Sequence, residues 1–356
     1  MQFLDPACGC GNFLIVAYRE MRALELALMI RKRDLLQQSG DQTAMQLAVD
    51  ATHDLKISIE QFYGFEIEAW PARIAETAMF LVDHQANLRM DSELGIAPTR
   101  LPLGVSPHIR HCDALSMDWN NVLAANDRTI VFGNPPFLGQ YTKSKEQTEL
   151  TKGVWGNQYN GYLDFVTCWH KKTVDYFEKV SGRWAFVSTN SISQGEAAAP
   201  LWRMILEAGW RCRFAHRSFA WDSEAAGQAA VHVSIIGFDR QSKDKARLWE
   251  YPEGGKGASH EIEASVINPY LVAHQNVLVE PTTRPVSSSS AAVTKGNQPT
   301  DNGQLLVTPE EFPTVQEDPI ARQYLRRYIG ARELLHGTKR WALWLVDARE
   351  EERGVL

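Results

Sequence analysis

Four residues, Asn134, Pro135, Pro136 and Phe137, follow directly on the run Thr129-Ile130-Val131-Phe132-Gly133. Proline has no backbone N–H and a φ fixed at about −65°, so a strand must stop there and the chain must hold one rigid turn. A rigid turn at the carboxyl end of a buried strand is where open α/β sheets collect their chemistry. The Asn134 side-chain oxygen and the Pro135 carbonyl then make two acceptors for a single amino group, and Phe137 adds a flat apolar face. The chemistry this allows is the capture of a planar ring that carries an amine.

A second set of residues could bind a cofactor. Phe3-Leu4 reads as the end of a buried strand, Asp5-Pro6 as a turn, and Gly9 and Gly11 as points where backbone passes close to a ligand before a helix begins at Phe13. A lone G-x-G is a weak signal; an acid just before it and a helix just after strengthen it. There is no third glycine at the dinucleotide spacing, and Asp5 would repel a pyrophosphate. The loop therefore suits a cationic or zwitterionic nucleoside better than NAD, and S-adenosylmethionine (AdoMet) fits, with an α-amino group for Asp5. Phe62-Tyr63-Gly64-Phe65-Glu66-Ile67 is a second short strand ending in an acid. Glu66 could accept both ribose hydroxyls and Ile67 could lie on the adenine; read alone, Glu66 is an ordinary surface acid. A third strand, His108 to His111, leads to Asp113, which could accept from an adenine amino group.

These positions require strands whose carboxyl ends converge on one crevice. Seven strands are predicted: the three above, Thr129 to Phe132, Arg183 to Ser188, Arg211 to His216 and Val231 to Phe238. Glu66 lies about 55 residues after Gly11, against ~20 in dinucleotide folds. A packed helical hairpin over about 18–59, broken at Ser39-Gly40-Asp41, is therefore expected between the first two strands. Helices are predicted over Trp70 to Leu88, Tyr162 to Val180 and Ala197 to Ala208, and 138–158 reads as a mobile loop beside the clamp. Phe219 and Trp221 are placed on the connection between the last two strands, either as packed aromatics or as a second stacking face for a base. The sequence divides into a domain over 1–240, an extension and Ser/Thr/Pro/Gly-rich linker over 241–304, and a further region over 305–356. There a helix is predicted from Asp318 to Leu335, and the apolar run Trp341 to Val346 reads as a strand whose partner lies beyond the sequence.

Composition narrows the class. The chain has 356 residues and a net charge of −6, and its five cysteines show no paired C-x-x-C spacing. A reducing, cytoplasmic setting without disulfides is expected. The ten histidines are scattered, so no metal is expected, and no apolar run approaches the ~20 residues of a membrane span. Arg203, Arg211, Arg213 and Arg217 form one basic stretch; Arg322, Arg326, Arg327, Arg332, Lys339 and Arg340 form another. Both read either as solvated faces or as phosphate contacts.

The run Asp5 to Phe13 resembles the cofactor loop of AdoMet-dependent amino-methyltransferases of DNA, with Cys10 where many members have Ser or Thr, and Asn134-Pro135-Pro136-Phe137 resembles their catalytic tetrapeptide. The order, cofactor loop first and catalytic turn second, is that of the γ group. The continuation Gly11-Asn12-Phe13-Leu14, the run Gly133 through Gly139, and Tyr328-Ile329-Gly330 through Leu345 resemble the MmeI-like fused restriction–modification enzymes of types IIG and IIL, strongly over 1–240 and more weakly over 305–347.

That resemblance implies a Rossmann-like class I methyltransferase fold, a seven-stranded mixed sheet with helices on both faces, carrying the inserted hairpin and a C-terminal extension. It implies Asp5, Ala7, Gly9, Gly11, Asn12, Phe13, Glu66, Ile67, Asp113 and Ala114 as AdoMet contacts. Asn134, Pro135, Pro136 and Phe137 become the catalytic turn, with Phe219 or Trp221 as the second stacking face. The implied reaction is methylation of the exocyclic N6 amine of adenine in double-stranded DNA, with the adenine flipped out, as the modification activity of a restriction–modification system. It further implies an upstream segment that helps cover AdoMet, and it makes 305–356 the start of a target-recognition region that is truncated here. Methylation of cytosine N4 or of protein glutamine uses similar clamps, and a silent DNA-binding or assembly remnant is the non-enzymatic alternative.

Overall fold

The computed structural model describes residues 1–38, 55–95, 105–139, 142–221, 231–240, 244–252, 255, 257–280, 282, 287, 289, 301–349 and 351. The chain divides into two units, Met1–Glu280 and Pro281–Leu356.

The first unit is built on one mixed sheet. Its strands are β1 (Gln2–Asp5), β2 (Phe62–Glu66), β3 (His108–His111), β4 (Thr129–Gly133), β5 (Arg183–Thr189), β6 (Arg211–Trp221), β7 (Val231–Asp239), β8 (Ala246–Glu250) and β9 (His260–Ala264). They lie in the order β3-β2-β1-β4-β5-β7-β6-β8-β9. The pairs among β1 to β5 are parallel, β7 runs antiparallel between β5 and β6, and β8 is parallel to β6 and antiparallel to β9. The seven expected strands are present, but the sheet has nine among the described residues. The two added strands follow residue 240, so the sheet continues past the boundary expected there.

Alternation along β1 shows how the sheet acquires two buried faces. Phe3 packs with Phe62 (ring centroids 4.6 Å apart), Ile130 and Phe132 under helices α1 (Asn12–Gln38) and α2 (Ala69–Leu94). Leu4, its neighbour, joins Phe65 and Val131 in the core of the opposite face. That face is covered by α4 (Thr167–Tyr176) and α6 (Ala198–Glu207), which follow α3 (Lys145–Trp155) and are separated by the short α5 (Ser191–Gln194). Phe3, Leu4, Phe62, Phe65 and Val131 are each at most 5% exposed; full burial of such a side chain contributes about 1.5–3 kcal/mol. Inside this core His170 is completely buried, with Nε2 3.1 Å from Ser188 Oγ, and desolvation pushes its pKa down to about 3.

Several local expectations are corrected. The first helix of the expected hairpin is continuous with the helix opened by the glycine loop, and 39–54, where its second helix was placed, lies outside the described residues. The stretch 138–158 is no featureless loop. It contains α3, opened by a capping box in which Ser144 Oγ accepts from Gln147 N (3.1 Å) and Gln147 Oε1 accepts from Ser144 N (2.8 Å). The helix expected from Tyr162 begins only at Thr167, because Asn160 first closes a turn that holds Tyr162 N and Leu163 N.

The second unit carries an antiparallel sheet of β10 (Leu306–Val307), β11 (Leu325–Tyr328) and β12 (Arg340–Leu343), ordered β10-β12-β11. The apolar run at 341–346 thus has a partner on each side, contrary to expectation. In place of one helix over 318–335 there are α8 (Ala321–Tyr324), β11 and α9 (Ala331–His336), after α7 (Phe312–Glu317). Glu333 holds this unit together: it accepts from Gly330 N (2.9 Å) and pairs with Arg340 Nε (2.7 Å).

Candidate active site

Strand order reverses about β1 and β4, which is where α/β sheets open a crevice at their carboxyl ends. The glycine loop spans it. Cys8 N donates to Phe65 O (3.0 Å), tying the loop to β2, and Gly11 N donates to Cys8 O (2.8 Å). Gly9 and Gly11 have φ of 54° and 86°, and a Cβ on Gly11 would lie 3.0 Å from Ala75 Cβ on α2. Glycine is needed there for backbone sign and for helix approach alike.

Glu66 is held by the same loop. Its Oε2 accepts from Gly9 N and its Oε1 from Glu68 N, both at 2.9 Å. Each oxygen keeps a lone pair, so the carboxylate is oriented and still able to accept two hydroxyls. Asp113 is fixed in the same way by Leu115 N (2.9 Å) and the Ser116 hydroxyl.

A cavity of about 490 Å³ lies between these elements. Of the expected residues, Ala7, Glu66, Ile67, Asp113, Ala114, Asn134 and Pro136 line it. Asn134 is exposed, and its side-chain amide has no hydrogen-bond partner in the protein among the described residues. Asp5, Gly9, Gly11, Asn12 and Phe13 do not line the cavity, and neither do Pro135 and Phe137. The loop glycines act by shaping the backbone. Phe137 packs partly buried against the core.

Asp5 lies behind the loop, 1% exposed. Its Oδ1 accepts from Ala7 N (3.0 Å), and it abuts the last residue of β4, where a Cβ on Gly133 would lie 2.9 Å from Asp5 Cγ. Burial pushes this carboxyl up to about 7, against the Ala7 hydrogen bond and with a smaller push from nearby Glu66.

Sequence reasoning missed a wall of the cavity. Glu146, Gln147 and Leu150 reach it from α3, Phe165 from the chain leading into α4 and Trp169 from the first turn of α4. Trp169 Nε1 donates to Pro6 O (3.1 Å), so that wall fixes the glycine loop as well. The Ser144-to-Gln147 spacing was the available signal for α3.

Phe219 and Trp221 stand elsewhere. Both are ladder residues of β6, opposite Val233 and Val231, and Phe219 stacks on Tyr251 at 4.8 Å. They are not on the connection, whose residues 222–230 lie outside the described set. The first basic stretch is neutralised within its unit. Arg211 pairs with Asp239 (2.7 Å), Arg213 with Asp244 (2.8 Å), Arg217 with Glu250 and Arg203 with Glu280. Among the described residues no group of three or more His, Cys, Asp or Glu could hold a metal ion, and no helix is long and apolar enough to cross a membrane.

Comparison with known proteins gives the family. The family model described as MmeI, DNA-methyltransferase domain, matches residues 1–250, and that described as MmeI, target recognition domain, matches 273–354. The chain is similar to DNA methyltransferase A of Bacillus subtilis (strain 168), with 34% identity over 358 aligned positions, covering 99% of this chain and 38% of that protein. It is also similar to the solved structure of the type IIL restriction–modification enzyme MmeI in complex with DNA, with 40% identity and a TM-score of 0.88, over 100% of this chain and 46% of that one. The chain therefore spans less than half the length of either relative. With seven-tenths of its residues under the first of those models and an overall fold shared with MmeI at 40% identity, the chain belongs to the MmeI DNA-methyltransferase family.

Proposed function

We propose that the first unit transfers a methyl group from AdoMet to the exocyclic N6 amine of adenine in DNA, as the modification activity of a restriction–modification system. The observation that carries this reading is the unpartnered Asn134 amide at the rim of a nucleoside-sized cavity bordered by two oriented carboxylates. Family membership and the DNA in the MmeI complex support DNA as the acceptor.

The cavity residues fit the cofactor. Glu66 presents two lone pairs to ribose hydroxyls, Asp113 accepts from an adenine amine, and Ile67, Leu115 and Phe165 supply apolar surface for a purine. Bound there, AdoMet supplies an electrophilic methyl group on a sulfonium. The protein's task is then positional. The nitrogen of an aromatic amine is a poor nucleophile because its lone pair is delocalised into the ring. Asn134 Oδ1 and the Pro135 carbonyl accept its two hydrogens, which pyramidalises the nitrogen and aims the lone pair into the cavity. Pro135 and Pro136 keep both acceptors from relaxing. Preorganised acceptors and in-line placement supply the acceleration. The base must leave the duplex, at a cost of about a few kcal/mol, and a ring such as Phe137 offsets part of that by stacking.

The test is tritium transfer from labelled AdoMet to unmethylated plasmid DNA, followed by nucleoside analysis. Label in N6-methyladenine is expected, and Asn134→Ala is expected to abolish it while AdoMet still binds. Label in N4-methylcytosine would overturn the choice of base, and full transfer by Asn134→Ala would overturn the clamp.

A further inference from the structure

The groove between α1 and α2 holds a smaller cavity, of about 150 Å³. Arg19, Arg22 and Ala23 line it from α1, and Gln85, Ala86 and Arg89 line it from α2. Residues three and four apart share a helix face, so each helix turns one arginine-bearing face to the cavity. The small side chains of Ala23 and Ala86 leave the space between those faces. The charged groups among the described lining residues are the three arginines, with no carboxylate. The cavity shares no lining residue with the one bordered by Glu66, Asp113 and Asn134.

Arg22 is held in place by neighbours that are themselves held. It is 5% exposed; its Nη1 donates to Glu25 Oε2 (3.0 Å) and its Nη2 to Asn87 Oδ1 (2.9 Å). Asn87 Nδ2 in turn donates to Asp83 Oδ2 (3.3 Å), and Glu25 Oε1 accepts from Lys56 N (2.6 Å) and Ile57 N (3.2 Å). A guanidinium carries five N–H donors. Three of those on Arg22, the buried Nε–H included, therefore have no acceptor among the described residues. An orphaned donor on a buried charge is costly, and an anion bound beside it supplies the missing acceptor. Across the cavity the Arg89 guanidinium has no partner among the described residues, and Arg19 pairs only with its exposed neighbour Glu20 (3.1 Å).

We propose that this cavity binds a phosphate group, either the free ion or the end of a phosphomonoester. Three guanidinium groups from two helices border one small volume. Planar N–H forks match the oxygens of a tetrahedral oxyanion, which can accept from several of them at once. A planar carboxylate presents a single edge and satisfies one fork. A phosphodiester inside DNA carries a sugar on both sides, which keeps its oxygens from a side chain as buried as Arg22. The bound group bridges α1 and α2, and it does so independently of the methyl transfer proposed above.

The test is isothermal titration of the full chain with inorganic phosphate, glycerol 3-phosphate and acetate at constant ionic strength. Saturable one-to-one binding of inorganic phosphate is expected, and none of acetate. Glycerol 3-phosphate separates the two sources: binding assigns the site to monoesters, and its failure to bind confines the site to the free ion. Arg89→Gln is expected to weaken phosphate binding about threefold, and the double variant Arg19→Gln with Arg89→Gln about tenfold, as for partly exposed ion pairs. Arg73→Gln removes an exposed arginine of α2 outside the cavity and is expected to change nothing. Arg22→Met is expected to abolish binding; if melting shows that it does not fold, the Arg19 and Arg89 variants decide. No saturable binding, equal binding of acetate, or an equal loss in Arg73→Gln would overturn the site. Displacement of bound phosphate by duplex DNA would move it to the nucleic-acid backbone and overturn the assignment to a terminal phosphate.

Discussion

Asp5 and Gly133 meet where the glycine loop leaves β1 and the Asn134–Phe137 turn leaves β4. The contact is possible only because residue 133 has no side chain. Gly133→Ala is expected to force the two strand ends apart, destabilising the fold by about 1–3 kcal/mol as overpacking does and weakening methyl transfer at least in proportion. Calorimetric melting alongside the tritium assay checks both. Asp5 was legible as an acid before a G-x-G, which suggested direct contact with an α-amino group. Its burial behind the loop depends on how β4 packs against β1, a non-local fact that local spacing does not carry. Glu66 was the opposite case. An acid at the end of a second strand faces the crevice whenever the sheet is parallel, so its place on the cavity wall followed from the pattern alone.

At the scale of elements, α3 shows how composition can hide a helix. Its exposed surface is rich in Lys, Gln, Glu and Thr, and only Thr151 and Trp155 are buried, so no apolar stripe marks it. The Ser144-to-Gln147 box does mark it, and the box carries weight because α3 brings Gln147 and Leu150 to the cavity. Ser144→Ala is expected to cost about 0.5–2 kcal/mol and to weaken AdoMet binding without altering the clamp; isothermal titration with AdoMet measures it. The extension of β6 to Trp221 was missed for a related reason. Register shifts at 212–214 and 216–219 break the alternation that would have announced a long strand.

Across the whole molecule, two buried ionisable groups tilt stability in opposite directions with pH. The Asp5 carboxyl is raised from 3.8 to about 7. The fold therefore favours its protonated form, and that contribution is complete below 3.8 and lost as pH rises through about 7. The His170 imidazole is lowered from 6.5 to about 3. The fold favours its neutral form, and that contribution is complete above 6.5 and lost as pH falls through about 3. The windows overlap between about pH 4 and 6.5, where the slopes offset each other. Without cofactor the protein is expected to show a near-flat stability there. Asp5→Asn, which keeps an acceptor for Ala7 N, is expected to expose a rise in stability with pH over that interval. Urea unfolding at pH 4.5, 5.5 and 6.5 follows the difference; equal slopes in the two proteins would contradict it. The division at Glu280 adds an expectation at the same scale: residues 1–280, which contain every described residue lining the cavity between the glycine loop and α3, should melt cooperatively and bind AdoMet without the second unit.

The absent side chain at Gly133 has a practical corollary for chimeras built between relatives. The glycine loop and the Asn134–Phe137 turn are separated by a single carboxyl group, so neither can be transplanted as a free-standing cassette. A graft that takes residues 1–13 from one parent has to take 129–139 from the same parent. Otherwise a longer acid or a bulkier strand end wedges the seam, and the exchange fails at that contact.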